Sequence, residues 1–152
     1  MQPSTATAAL TDDVGFLLSR ASGNFVRVSN AALVSHGLRV RSYSVLLLAC
    51  DAEEGVSQRD LAAILGLDPS QVVLLVDELA ESGLVERRPS ATDRRTKLVV
   101  ATGAGRQVRA AAVEDVASVV SAQLSELTST ERYLLRDLLS RLALGSESIP
   151  PD

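Results

Sequence analysis

A mainly α-helical fold carrying one small β-hairpin is what this sequence predicts, and three observations predict it. Hydrophobic residues make up 46% of the 152 positions but aromatic residues only 3%, so a core of Leu, Val and Ala favours helix packed on helix over a sandwich. Apolar residues recur at three- and four-residue steps along most of the chain, which is the helical period. Between Val56 and Ala101 the pattern changes to short helix, tight turn, helix, and then two short strands bearing basic residues. That order is the plan of a winged helix-turn-helix, and the longer helices before and after it read as dimerisation helices.

Met1 to Ala9 hold no basic residue and no apolar core, so residues 1–10 read as a disordered tail and not as a signal peptide. From Thr11 to about Ser35, Val14, Leu17, Leu18, Ala21, Phe25, Val28 and Ala32 form one stripe of a helix of about six turns. Gly15 and Gly23 weaken it locally without moving the stripe. A stripe that long exceeds what a small lobe can cover, so a partner subunit is the expected cover. His36-Gly37 breaks the pattern. Ser42 to Ala52 resumes it, with Val45, Leu46, Leu47, Leu48, Ala49 and Cys50 apolar nearly all round, which predicts a central helix. Glu53-Glu54-Gly55 ends it, and Val56 is expected in a strand of one or two residues.

Ser57 is placed to cap a third helix, with Asp60 at the reciprocal position and Leu61, Ala62, Ile64 and Leu65 as its apolar face. Gly66-Leu67 turns the chain into a fourth helix. There Asp68 is an N-cap, Pro69 suits the first turn, Gln71 completes a capping box, and Gly83 is the natural stop. Projection at 100° per residue puts Val72, Leu75, Val76 and Leu79 inside. Ser70, Leu74, Asp77 and Glu81 then face outward, flanked by Gln71 and Glu78 on one side and Val73 on the other. Leu74 stands there either as a scattered surface leucine or as a contact for a thymine methyl in a DNA major groove. Asp77, Glu78 and Glu81 would repel phosphates, so Ser70 and Gln71 of the first turn are expected to enter a groove first.

Leu84 to Arg88 and Thr96 to Ala101 read as two strands joined through Pro89 and Asp93. The formal charge of the whole chain is −4, yet from Leu84 to Lys97 five cations (Arg87, Arg88, Arg94, Arg95 and Lys97) face only Glu86 and Asp93. That window is net +3, which leaves −7 on the remainder. A local basic patch on an acidic body can contact phosphates while the body limits indiscriminate binding. Arginine suits the role, because its planar fork pairs with phosphate and enters narrow minor grooves. Thr102 then opens a fifth helix to about Leu127, with Val108, Ala111, Ala112, Val116, Val119, Val120 and Leu124 as its stripe. Thr128-Ser129-Thr130-Glu131 is a capping box for a sixth, with Leu134, Leu135, Leu138, Leu139 and Leu142 apolar and Arg132, Arg136 and Arg141 outside. Gly145 ends it and 146–152 reads as a loose tail. The expected organisation is therefore dimerisation helices at 11–36 and 103–145 around a DNA-reading lobe at 37–102.

These residues resemble one family, the MarR-type (multiple-antibiotic-resistance regulator) winged-helix regulators of bacteria. The resemblance runs from about Val14 to Leu142. Its most specific parts are Gly83-Leu84-Val85-Glu86-Arg87-Arg88, Asp93-Arg94-Arg95 and Leu98 to Gly105, with Ser57-Gln58-Arg59-Asp60-Leu61-Ala62 and Asp68-Pro69-Ser70 before them. It implies a homodimer with interlocked terminal helices on a two-fold symmetric operator, recognition helices in successive major grooves and wing arginines in flanking minor grooves. It also implies a small, often phenolic, effector bound between the dimer helices and the reading lobe. The chain departs from the pattern at Val73-Leu74, where relatives often have Thr-Arg, and at Glu78, where a basic residue is common. Specificity then leans on Ser70, Gln71, apolar contacts and DNA shape. Asp77 matches the family, which implies a pairing with Arg94 or Arg95 that orients the wing.

Other candidate sites weigh less. Cys50 is either a redox-sensing thiol or a small buried hydrophobe, and its apolar neighbours favour the second. His36 with no cysteine or clustered carboxylates makes a poor metal site. Phe16, Arg20, Phe25 and Tyr43 are candidates for an aromatic effector pocket with a cation, or else ordinary packing. The sequence offers no nucleophile–base pairing, phosphate loop or membrane span. The expectation is a cytoplasmic, non-enzymatic, homodimeric repressor without a cofactor, released from a palindromic operator by a small phenolic or anionic ligand, and binding double-stranded DNA through Ser70, Gln71, Val73 and Leu74 and through the wing residues Arg87, Arg88, Arg94, Arg95 and Lys97. The alternatives are a winged-helix module that binds a protein through Leu74 and its acidic neighbours, and a DNA-binding redox sensor acting through Cys50.

Overall fold

The computed structural model describes residues 10–145, so the tails expected at 1–10 and 146–152 lie outside the described residues except for Leu10, which is helical. Helix α1 (Val14–Leu33) starts at Asp13, whose carboxylate accepts the Phe16 N–H at 2.6 Å. It runs into a 3-10 turn, Val34–His36, closed by Gly37 in the left-handed region. Helix α2 (Val40–Asp51) begins two residues before the expected Ser42. Two of its early backbone donors are met from elsewhere: Arg39 N–H donates to Ser42 Oγ at 3.0 Å and Val40 N–H to Asn30 Oδ1 at 2.9 Å.

The reading lobe follows as β1 (Val56–Ser57), α3 (Gln58–Leu65), α4 (Pro69–Glu81), β2 (Val85–Pro89) and β3 (Lys97–Ala101). The strands form one antiparallel sheet in the order β1-β3-β2, with Val56 opposite Val99 and Arg87 also opposite Val99. Helix α5 (Gly103–Gln123) ends four residues short of the expected Leu127, and α6 (Ser129–Leu144) ends at Gly145. The core is aliphatic. Leu33, Val45, Leu46, Ala49, Leu61, Val72, Val76, Leu79 and Val99 are all buried, which puts α2 at its centre as its apolar circumference predicts.

One close approach couples the wing to the long helix. A Cβ on Gly105 would lie 2.0 Å from the Leu84 carbonyl oxygen, so only glycine lets α5 start there. Thr102 completes the joint: its N–H donates to Leu84 O at 3.0 Å and its hydroxyl to Gly83 O at 2.6 Å.

Two apolar faces stay open in the single chain. Val14, Leu17, Leu18 and Val26 of α1 are exposed, as are Leu134, Leu138, Leu139 and Leu142 of α6. Helix α6 has no buried residue at all, although its Thr128–Glu131 capping box forms as expected.

Candidate nucleic-acid interface

Helix α3 starts as the sequence requires. Ser57 Oγ accepts the Asp60 N–H at 3.1 Å and donates to Asp60 Oδ2 at 2.7 Å. Gly66, left-handed at φ 62°, ends it and hands the chain to α4. The start of α4 corrects one expectation. The Asp68 side chain makes no capping bond, so no box forms with Gln71, and the first-turn donors of Gln71 and Val72 go to the Asp68 carbonyl. Proline at the first helical position already presets the backbone, and it leaves one donor fewer to cap. Freed from that role, the Gln71 side chain is exposed.

The end of α4 agrees with its glycine. Gly83 (φ 72°) donates to Ala80 O and Leu84 to Leu79 O, the paired bonds of a Schellman stop, and Leu84 is buried behind them. Val72, Val76 and Leu79 face the core, leaving Ser70, Gln71, Val73, Leu74, Glu78 and Glu81 exposed. Leu74 is 69% exposed.

The wing is held against this helix by a clasp whose partner differs from the one expected. Asp77 bonds Arg87 (Oδ1 to Nη2, 2.6 Å), not Arg94 or Arg95. The reason is register: Arg87 sits mid-strand on β2, whereas Arg94 and Arg95 occupy the loop beyond it. Arg87 Nε donates to Gln58 Oε1 at 3.0 Å as well, so one guanidinium ties α4, β2 and α3 together. Arg87 thereby becomes a positioning residue. Gln58 is the member of this clasp that sequence reasoning missed, because nothing local in Ser57-Gln58-Arg59 marks a contact 29 residues away.

The wing tip is ordered by Asp93. Its carboxylate accepts the Arg95 N–H and the Thr96 hydroxyl, both at 3.0 Å, while Ser90 N–H reaches Thr96 O at 2.8 Å. This leaves Arg94 and Arg95 exposed on a fixed turn, with no side-chain ion pair or hydrogen bond among the described residues. Arg88 is exposed and pairs with Glu86 on its own strand, and Lys97 is exposed at the start of β3. Between α3 and β3 runs a polar groove lined by Gln58, Arg59, Thr96 and Lys97 among others. Arg59 is thus a further cation on this side of the lobe, unmarked in sequence because it stands alone beside the acidic Asp60.

The expected effector residues are not gathered in one place. Phe25 lines an apolar groove of about 480 Å³ with Val120, Leu124, Leu135 and Leu139, and neither Phe16, Arg20 nor Tyr43 belongs to that lining. Tyr43 packs on the core instead; burial raises its hydroxyl above the ordinary value, and Arg109 opposes the rise. Cys50 is half-buried. Burial pushes its thiol up, while Arg106 and Arg109 pull it down. Both arginines reach this end of α2: Arg106 donates to Cys50 O at 2.9 Å and Arg109 to Asp51 at 2.7 Å. A raised thiol value leaves little thiolate, which matches the small-hydrophobe reading. His36 pairs with Asp115 of α5 at 2.7 Å, and among the described residues no group of three ligating side chains could hold a metal.

A model of the MarR family matches residues 36–96, from the His36 break to the wing tip. A MarR-family transcriptional regulator from Rhodococcus sp. RHA1 is 49% identical, over 90% of this chain and 96% of its own, with a TM-score of 0.85. The chain belongs to the MarR family of transcriptional regulators. CouR from Rhodococcus jostii RHA1, solved with p-coumaroyl-CoA, is 47% identical over 93% of this chain and 98% of its own (TM-score 0.83). A CouR repressor solved on a 23-mer DNA duplex is 29% identical over 94% and 99% (TM-score 0.82). This MarR-family chain is accordingly a DNA-binding transcriptional regulator, and its relatives are regulators of transcription. Among its described residues no helix is long and apolar enough to cross a membrane.

Proposed function

We propose that this regulator is a repressor that acts as a homodimer on a two-fold symmetric operator and is released by an aromatic acyl thioester of coenzyme A. The observation that carries the DNA half is the wing tip. An ordered turn offers two unpaired arginines beside a helix whose outer face is free of any core role. A guanidinium without an internal carboxylate partner is available for a phosphate or a narrow minor groove. Ser70, Gln71, Val73 and Leu74 are then the base-reading side chains, with Arg88, Arg94, Arg95, Lys97 and Arg59 on the backbone and Arg87 holding the geometry.

Dimerisation is supported by the open apolar faces of α1 and α6. An apolar stripe along a helix with no buried residue needs a second surface to cover it. Because DNA is its partner, the chain works in the cytoplasm. The reading assigns it no catalytic step and no cofactor. The effector class comes from the relative bound to p-coumaroyl-CoA, whose similarity to this chain extends along nearly all of both.

The test is a gel shift with fragments of the host genome, repeated with p-coumaroyl-CoA, coenzyme A and p-coumarate. Specific retention of a promoter fragment, released by the thioester alone, is expected. Failure to retain any fragment above competitor DNA would refute DNA reading. Retention that none of the three compounds reverses would refute the effector class alone.

A further inference from the structure

The centre of the outward face of α4 holds no hydrogen-bonding side chain that is free to read a base. Leu74 occupies it, 69% exposed, with Val73 beside it at 38%. No Lys or Arg lies anywhere in Pro69–Glu81, and Asp77, the first acid after Leu74, is already held by Arg87. Hydrogen bonding is confined to Ser70 and Gln71 in the first turn, and past Leu74 only the unpaired acids Glu78 and Glu81 follow.

Resting on the DNA-reading assignment above, we infer that Leu74 is a specificity-determining residue that selects thymine through its C5 methyl group. In the major groove, guanine offers acceptors, cytosine and adenine offer donors, and thymine offers a methyl beside its O4 acceptor. A leucine pressed on guanine O6 and N7, or on the cytosine amino group, strips those groups of water and returns no hydrogen bond. Buried polar groups left unpaired are penalised far more than apolar ones. Only the thymine edge presents apolar surface for leucine to cover. Glu78 and Glu81 accept hydrogen bonds and would sit badly over guanine acceptors, so they add no affinity for guanine. Arg87 removes Asp77 from that competition and leaves the leucine unscreened at the centre of the face.

The experiment uses the duplex enriched by the full-length protein from a random library, with each thymine replaced in turn by deoxyuridine, which lacks only the methyl. Burying one methyl is worth a factor of about 4 in affinity. The wild-type protein is expected to bind about fourfold more weakly when uracil replaces one particular thymine in each half of the duplex. Leu74→Ala, a change at an exposed position, is expected to bind the thymine and uracil duplexes equally at that place. Circular dichroism of the variant checks that its helices are intact. Insensitivity of the wild type to every thymine-to-uracil change would overturn the inference. So would an equal loss in Leu74→Ala. If no duplex is enriched at all, the DNA-reading assignment fails and takes this inference with it.

Discussion

Replacing Arg94 and Arg95 together by alanine tests how the wing divides its cations. Both side chains are exposed and unpaired, on a turn held by Asp93, so neither has an internal partner to lose. Each phosphate neutralised releases condensed counterion and contributes about 0.9 to the slope of log affinity against log salt. Two arginines per wing should therefore carry a slope of about 1.8, and a dimer with two wings about 3.6. Over a fourfold rise in salt, the wild type should lose about 150-fold more affinity than the variant, or about 12-fold more if only one wing engages. Fluorescence anisotropy with a labelled operator, titrated at several potassium chloride concentrations, reads this directly. The matched control is Asp77→Asn with Arg87→Gln, which removes the clasp's charges in balance. It is expected to weaken binding without changing the slope, since Arg87 is spent on Asp77 and Gln58. Equal slopes for the wild type and the Arg94/Arg95 variant would refute the assignment of the tip to DNA.

Three further outcomes follow from particular contacts. A double-mutant cycle on Asp77→Ala and Arg87→Ala, read by urea unfolding, should give a coupling of about 1 kcal/mol, the upper end for a half-exposed ion pair; additive single effects would remove the clasp. Gly105→Ala should destabilise by about 1–3 kcal/mol and lower the thermal midpoint, because the new methyl meets the Leu84 carbonyl at 2.0 Å; an unchanged midpoint would show that α5 and the wing can part freely. Glu131 accepts the N–H and hydroxyl of Thr128, and these bonds hold its carboxyl below the ordinary glutamate value. A depressed value in the folded state means the cap's contribution is complete above the unfolded value and fades as pH falls through the folded one. Acid titration of helicity should show that loss in the wild type and not in Glu131→Gln, and identical profiles would exclude the cap as its source.

Features encoded over a few residues are legible in the sequence. Ser57 with Asp60 and Thr128 with Glu131 cap their helices as read, and Gly83 stops α4 in the left-handed conformation its position demands. The inward set Val72, Val76 and Leu79 follows from a period of 3.6 alone. The local rule failed at Asp68, where a proline-set backbone made the side-chain cap unnecessary. For Tyr43 and Phe25 the sequence leaves a pocket and ordinary packing both open, because only the packing angles decide which neighbour each ring meets. Phe25 went to the α5–α6 groove and Tyr43 to the core beside Arg109.

By itself, the sequence determined the order of helices and strands, the inward face of α4, the basic hairpin and the family. All of these rest on period, capping chemistry and turn residues, which act within one or two helical turns. The tertiary structure alone decided that Asp77 closes on Arg87, that Gln58 joins that clasp across 29 residues, and that Arg94 and Arg95 remain free. Strand register and helix docking bring those groups together over long stretches of chain, and a side chain's charge carries no record of which opposite charge the fold will place within 3 Å.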